Sequence, residues 1–416
     1  MSNHYEANIH FISHLSSAML VRFAYLCMII TDNMKFVHIS DLHIGKRVNE
    51  KSLMEEQKHI LERICCIVEE EKPDAVLIAG DVYDKPVPSG EAVMLFDSFL
   101  ARLSGLSGHI FIISGNHDSA ERIAFAGRIM DGMGIHLSPV YNGDLKPVRM
   151  NDPFGEIHIY MLPYVRPAQV RHILPEEEKE KVTDYDSAVR TAIGLMKPDK
   201  SVRNILITHQ FVTGSSRSGS EDTNVGGLDN VDVSAFDDFD YVALGHLHRP
   251  QDCSVERVRY CGSPLKYSFS EVDDIKSVTV VTLEEKGKIE RRFIRLVPLH
   301  DWHDIRGSYE ELTSRDYYIG TPYQEDFTRI TLTDETDIPD AIGKLRTIYH
   351  NLMELRYDNK RTRAGYSVIE GTADVERKSP LELFEELYRK QNADGLDKVQ
   401  SEYLSQKIAK IWEGIE

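Results

Sequence analysis

The chain has 416 residues, of which 41% are hydrophobic and 28% charged. That is room for two or three domains with at least one large core, and it excludes collagen-like, low-complexity and disordered classes. Lys and Arg number 49 against 67 Asp and Glu, a formal net charge of -18, so bulk attraction to a nucleic-acid backbone is excluded and any polynucleotide would need a local site, a metal or a partner.

The stretch from Ala18 to Ile30 is apolar except for Arg22. It is shorter than the roughly 20 residues of a spanning helix, and it lacks the basic start and small-residue cleavage site of a signal peptide. Residues 1–33 are read as an extension upstream of a native start at Met34, in preference to a membrane anchor. Cys27, Cys65, Cys66, Cys253 and Cys261 have no metal-site spacing and read as reduced thiols of a cytoplasmic protein.

From Lys35 one grammar repeats: an apolar run, a polar loop, a helical stretch. Lys35–Ser40 (KFVHIS) leads to Asp41, and Leu53–Glu71 has helical periodicity. Ala75–Ala79 (AVLIA) ends in Gly80-Asp81, and Glu91–Leu103 is again helical. His109–Ser114 (HIFIIS) ends in Gly115-Asn116-His117-Asp118. Ile157–Leu162, Asn204–Thr208 and Tyr241–Leu244 follow, the last two ending in His209 and in Gly245-His246-Leu247-His248. Continuous β-branched runs alternating with helices mark strands buried on both faces. The class is α/β, in layers.

Beyond about residue 275 the pattern changes. Ser277–Thr282 and Glu290–Leu296 read as antiparallel strands around Lys286-Gly287-Lys288. Phe327–Thr333, Ile338–Tyr349 and Leu352–Tyr357 read as strand, helix, strand of a small second unit. Ser379-Pro380-Leu381-Glu382 is a capping box with Pro at the first helical position. It opens a helix carrying Leu383, Phe384, Leu387 and Tyr388 that ends at Gly395, and a last helix carries Val399, Leu404, Ile408, Ile411 and Trp412. Their apolar stripe fits either a hairpin packed on the body or a surface for a partner.

Chemistry gathers at the strand ends. Asp41, His43, Asp81, Asn116, His209, His246 and His248 each follow an apolar run, and ligands of open α/β sheets bind beyond the carboxyl ends of strands. Carboxylate, amide oxygen and imidazole without thiolate suit Mn²⁺, Fe²⁺ or Zn²⁺ rather than a structural zinc. These donors are too many for one ion with open positions, whereas two ions sharing Asp81 use them all. A metal pair stabilises the attacking and leaving oxygens of an in-line phosphoryl displacement. Gly80, Gly115 and Gly245 sit where backbone must turn tightly beside a ligand. His38, inside the first run, is expected to be packed. The Gly/Ser/Asp-rich stretch Thr213–Asp232 reads as a mobile loop near His209, with acidic residues too irregular for a further metal site.

The motifs that carry a resemblance are His38-Ile39-Ser40-Asp41-Leu42-His43, Gly80-Asp81-Val82-Tyr83-Asp84, Ser114-Gly115-Asn116-His117-Asp118, Leu162-Pro163-Tyr164, Thr208-His209-Gln210-Phe211, Gly245-His246-Leu247-His248-Arg249-Pro250 and Tyr260-Cys261-Gly262-Ser263-Pro264. From Met34 to about residue 415 the chain resembles the calcineurin-like metallophosphoesterases, and among them the SbcD family of nuclease subunits. The resemblance implies a four-layer α-β-β-α sandwich over 34–299, a small α+β DNA-capping domain over 300–373 and a C-terminal helical hairpin over 374–416. It implies that Asp41, His43, Asp81 and His248 hold one ion and that Asp81, Asn116, His209 and His246 hold the other, with manganese as the expected metal. His117 would sit over the scissile phosphate, Asp118 would orient His117, and Asp84 is a weaker site residue.

The same resemblance implies a homodimer within a heterotetramer with an SbcC-like coiled-coil ATPase, acting on DNA ends, hairpins and single strands, with no membrane association. The metal ligands alone serve a small-molecule phosphodiesterase or nucleotidase of the same fold equally well; the capping segment and the C-terminal helices favour the nuclease.

Overall fold

The computed structural model describes residues 33–221, 230–360, 362, 379–392 and 396–413. The extension expected over residues 1–33 lies, but for Asn33, outside them. Strand formation follows the apolar runs. Ala75–Ala79 is buried at every residue, with Met34–Ile39 and His109–Ile113 parallel on either side. The first sheet has the order 289–295, 277–283, 34–39, 75–79, 109–113, 135–137, its first two strands added antiparallel. The second has the order 251–253, 255–260, 241–245, 203–209, 155–162, 148–152. Its four central strands are parallel and its two edges antiparallel.

The sheets face each other across Phe36, Leu77, Phe111 and Ile113 on one side and Ile159, Ile205, Ile207 and Ala243 on the other. Helices Met54–Glu71 and Gly90–Ser104 cover the outer face of the first sheet. Pro167–Ile173 and Tyr185–Met196 cover that of the second. The result is the expected α/β class, a four-layer α-β-β-α sandwich. In Met54–Glu71 the buried residues Ile60, Ile64, Ile67 and Val68 form one stripe against Val76 and Ile78, each burial worth about 2 kcal/mol. Lys72 ends the helix in the left-handed region at φ 48°. His38 is packed as expected: it is fully buried, and its Nδ1 hydrogen-bonds with the Tyr241 hydroxyl of the other sheet at 2.9 Å.

A smaller unit follows. Trp302–Gly307, Phe327–Leu332 and Leu352–Tyr357 form a three-stranded parallel sheet around Ile305, Leu312, Ile330, Leu345 and Tyr349. The strand-helix-strand reading of 327–357 holds, with a helix shorter than expected. Asp340 takes φ 51°, so the helix spans only Ala341–Arg346. The strand at Trp302–Gly307 escapes the sequence pattern because His303, Asp304 and Arg306 interrupt its apolar positions.

Beyond it the capping box forms reciprocally. The Ser379 N–H donates to the Glu382 carboxylate at 2.6 Å, and the Glu382 N–H to Ser379 Oγ at 3.2 Å. Helices Pro380–Asn392 and Lys398–Glu413 follow; Gly395 and the side chains of Ile411 and Trp412 lie outside the described residues. Among the described residues no helix is long and apolar enough to cross a membrane, and Cys65, Cys66, Cys253 and Cys261 are free thiols.

Candidate metal centre

Five central parallel strands deliver the site. Met34–Ile39, Ala75–Ala79 and His109–Ile113 of the first sheet lead to Asp41 and His43, to Asp81, and to Asn116 and His117. Arg203–His209 and Tyr241–Gly245 of the second lead to His209 and to His246 and His248. All eight side chains meet at the carboxyl ends of the two sheets. Four of them turn there on positive φ: Asp41 at 53°, His43 at 43°, Asp81 at 49° and His246 at 108°. Such backbone costs about 1–3 kcal/mol per residue and persists only where its surroundings enforce it. Hydrogen bonds enforce it here. Asp41 N–H donates to the Gly80 carbonyl at 3.0 Å, His43 N–H to the Asp81 carbonyl at 2.9 Å, and His246 N–H to the Asp41 carboxylate at 3.0 Å.

The donor atoms face one another. His43 Nε2 and His248 Nε2 are 3.1 Å apart, where two N–H groups cannot both fit. Asp81 Oδ2 lies 3.6 Å from His43 Nε2 and 3.3 Å from His209 Nε2. Asn116 Oδ1 is 3.0 Å from both His209 Nε2 and His246 Nδ1. Three groups could each hold a cation: Asp41, His43 and His248; Asp41, Asp81 and His209; and His43, Asp81 and His117. Carboxylate, amide oxygen and imidazole aimed at common points fit divalent metal ions.

Electrostatics divide the imidazoles. Burial holds His43 well below the usual histidine range, and burial with the neighbouring His209 does the same to His246. Both are therefore neutral donors. Burial opposes the charge on His209 too, yet the Asp81 carboxylate outweighs it and pushes His209 up to about 9. For His248 burial is likewise outweighed, by Glu271, and the value rises. Burial raises the Asp41 carboxyl. Burial would raise Asp81 as well, but His209 beside it holds Asp81 well below the carboxylate range. Asp81 is thus an ionised carboxylate between two sets of nitrogen donors.

Residues 34–250 match the calcineurin-like phosphoesterase model, more than half of the chain. The chain belongs to the calcineurin-like phosphoesterase family. It is a metal-dependent hydrolase, and its metals are divalent. Residues 295–392 of this phosphoesterase match SbcD_C, the type 5 capsule protein repressor C-terminal domain; the two domains in that order give the SbcD type. The phosphoesterase is also similar to a dimetal phosphatase from Danio rerio, over 64% of this chain and 100% of that one, at 12% identity and a TM-score of 0.37.

The other expected site residues of this phosphoesterase lie close by. His117 packs edge-on against His43, ring centres 4.7 Å apart. Its Nδ1 donates to the Asp84 carbonyl at 3.1 Å, and its N–H to Asp81 Oδ1 at 2.9 Å. Asp118 was expected to orient His117. Its carboxylate accepts the N–H groups of Val82, Tyr83 and Gly115 at 3.1, 2.9 and 3.0 Å, so it ties the Asp81 loop to the His117 loop through backbone. Asp84 Oδ1 pairs with Lys46 Nζ at 2.8 Å and lies 3.7 Å from His43 Nδ1.

Sequence reasoning missed the residues behind His248. Glu271, fully buried, accepts from Lys276 Nζ at 2.5 Å and from Ser220 Oγ. The stretch Thr213–Asp232 was read as a mobile loop near His209. Its residues 222–229 lie outside the described residues; of its described part, Ser220 and Glu221 bond to His248 and Asn230–Val231 pair with Phe211–Val212, with Ser218 and Glu221 buried.

Proposed function

We propose that this phosphoesterase is the nuclease subunit of an SbcC–SbcD-type complex. It would hydrolyse DNA phosphodiesters with two divalent ions, Mn²⁺ in the cell. The observation that carries the reading is the shared position of Asp81, whose Oδ2 faces His43 on one side and His209 on the other. Asp41, His43, Asp81 and His248 would hold one ion; Asp81, Asn116, His209 and His246 the other. Bound there, the ions supply charge stabilisation for an in-line displacement at phosphorus.

The chain's own contribution is positioning and proton supply. A carbonyl only accepts, so the bond to Asp84 places a proton on His117 Nδ1; Nε2 is the nitrogen that would meet the phosphate. Protonated there, His117 stabilises developing charge or gives its proton to the leaving oxygen. Asp118 holds the two loops in register.

The SbcD_C match over 295–392 favours DNA over a small phosphodiester. On this reading residues 34–299 are the catalytic body, 300–373 cap the DNA, and 374–416 bind the SbcC-like coiled-coil ATPase. Phe384, Leu387, Val399 and Tyr403, 43% to 75% exposed on the two C-terminal helices, supply an apolar surface for that partner. Val87, Met94, Phe125, Ile129 and Met133, each at least 69% exposed, support a homodimer. The activity would be 3′→5′ on duplex ends and endonucleolytic on hairpins and single strands, under ATP control through the partner, in recombination, replication and repair in the cytoplasm.

The test is cleavage of hairpin DNA with Mn²⁺ by His117→Ala and Asp81→Asn, beside a chromogenic phosphodiester. Each substitution should lower DNA cleavage by about 10² or more. Undiminished cleavage in both would sink the catalytic assignment, and a chromogenic ester turned over far faster than DNA would favour a small substrate.

A further inference from the structure

His248 is gripped at each of its polar atoms. Its N–H donates to Glu221 Oε1 at 2.6 Å, and its carbonyl accepts from Lys276 Nζ at 2.8 Å. Its Nδ1 lies 2.6 Å from Ser220 Oγ, and its Nε2 faces His43 at 3.1 Å. The Ser220 hydroxyl in turn donates to Glu271 Oε1, which itself stands 3.7 Å from His248 Nδ1. Lys276 closes the circle by donating to Glu271 Oε2 at 2.5 Å and to Ser263 Oγ at 3.0 Å.

The direction of these bonds matters. Ser220 has one hydroxyl proton, and the Glu271 carboxylate takes it. The Ser220 oxygen is then an acceptor, so His248 must carry its proton on Nδ1. That leaves the Nε2 lone pair aimed at Asp41 and His43, the group that could share a cation with it. Carboxylate-oriented histidine is the usual way a protein sets the tautomer and basicity of a metal ligand. Here a serine stands between the two, and it comes from a separate segment. Ser218 N–H donates to Glu221 Oε2 at 2.7 Å within that segment, and Gly219 N–H donates to Ser270 Oγ at 2.7 Å, which docks residues 218–221 onto the turn at Phe269–Glu271.

We propose that residues 218–221 are a strap whose Ser220 and Glu221 position His248 for metal, with Glu271 as the fixed anchor behind them. The proposal rests on the metal reading above, and it makes Ser220 a positioning residue for one ion of the pair. The site shared by Asp81, Asn116, His209 and His246 has no hydrogen bond to the strap among the described residues and should be left alone.

The experiment is titration of the full-length, metal-stripped protein with Mn²⁺ alone, followed by calorimetry and by the electron paramagnetic resonance of bound Mn²⁺. Ser220→Ala should weaken one of two sites by 10- to 100-fold, the range found for such indirect partners, and leave the other unchanged. The signal of a coupled Mn²⁺ pair should give way to that of single ions at the same loading. Ser220→Thr, which keeps the hydroxyl, should restore both. Glu271→Gln should weaken the same site as Ser220→Ala; because it also takes from Lys276 its nearest carboxylate, Ser220→Ala is the deciding variant.

His248→Ala separates the two readings. If it binds two ions as the wild type does, the metal assignment fails whatever Ser220 does. If His248→Ala loses one ion while Ser220→Ala binds both at wild-type affinity, the metal assignment stands and the strap is overturned. Loss of both sites in Ser220→Ala, or no rescue by Ser220→Thr, also overturns it, since the serine would then act on the fold rather than on His248.

Discussion

His209 Nδ1 donates to the carbonyl oxygen of Ala79 at 2.8 Å. The two residues end strands of opposite sheets, so this bond closes the sandwich at the rim where the site lies. It also fixes the imidazole: with the proton on Nδ1, Nε2 turns to Asp81 and Asn116.

The same carbonyl limits what can stand at Gly245. A Cβ added there would lie 1.9 Å from Ala79 O and 2.6 Å from His209 Nδ1. Gly245 needs no unusual φ; it needs the absence of a side chain. Gly245→Ala should therefore force the sheets apart at this corner, at a loss of about 3 kcal/mol. Gly90→Ala is the control. Nothing lies within 4 Å of a Cβ at that helix position, so it should change stability by less than about 1 kcal/mol. Urea midpoints of the two variants decide, and an unshifted midpoint for Gly245→Ala would contradict the close approach.

Metal binding should depend on pH with a definite sign. In the metal-free protein Asp81 raises His209 from 6.5 to about 9, so below that value the nitrogen facing Asp81 carries a proton. A cation must displace it. Mn²⁺ affinity should rise by up to about tenfold per pH unit for this one proton, and level off above about pH 9. The stability of the metal-free protein runs the other way. A histidine raised on folding contributes stability that is complete below its unfolded value of 6.5 and is lost as pH rises through about 9. Calorimetric titration with Mn²⁺ between these limits checks the first statement, and thermal melting of the stripped protein checks the second. A flat affinity across the window would mean that His209 is already unprotonated.

Asp118 acts on loops rather than on chemistry. Its carboxylate takes three backbone N–H groups, from Val82, Tyr83 and Gly115. Truncation strands three partly buried donors at about 1 kcal/mol or more each. Asp118→Ala should thus lose about 3 kcal/mol and most of the activity. Asp118→Asn, which keeps one acceptor oxygen, should fall between it and the wild type. If Asp118→Ala melted with the wild type while activity vanished, Asp118 would be acting on substrate and not on the loops.

The reach of the sequence follows from how local each feature is. Asp41, Asp81, Asn116 and His246 could be found because each stands within a few residues of the end of an apolar run, so strand pattern and chemistry are read together. Most central strands were legible for the same reason: AVLIA at 75–79 has no polar interruption, whereas Val255–Tyr260, broken by Glu256, Arg257 and Arg259, was not. The shortest edge strands were not. Ile135–Leu137 and Gln251–Cys253 have three residues each, too few for a period to register. Ser220 and Lys276 each reach His248 from 28 residues away, and Glu271 follows no apolar run. Only folding brings that carboxylate, fully buried, behind a histidine.

One helix holds the joint between body and small unit. Glu56, near the start of helix Met54–Glu71, accepts the N–H groups of Leu299 and His300 at 3.0 and 3.3 Å and pairs with His300 Nδ1 at 2.5 Å. The next residue, Gln57, donates to the His43 carbonyl at 2.6 Å and accepts from Gly45 N–H at 2.9 Å. One helical turn therefore holds the entry to the small unit and the backbone of the His43 loop. Glu56 is only 5% exposed, so Glu56→Ala leaves two backbone donors and an imidazole without their acceptor, a loss of about 2–3 kcal/mol. Amide exchange should speed up at Leu299 and His300, and also around Gly45, because the turn carrying Gln57 loosens with them. Glu56→Gln, which can still accept, should exchange more slowly than Glu56→Ala at all three. Faster exchange at 299–300 with an unchanged rate at Gly45 would show that the helix holds the two contacts independently.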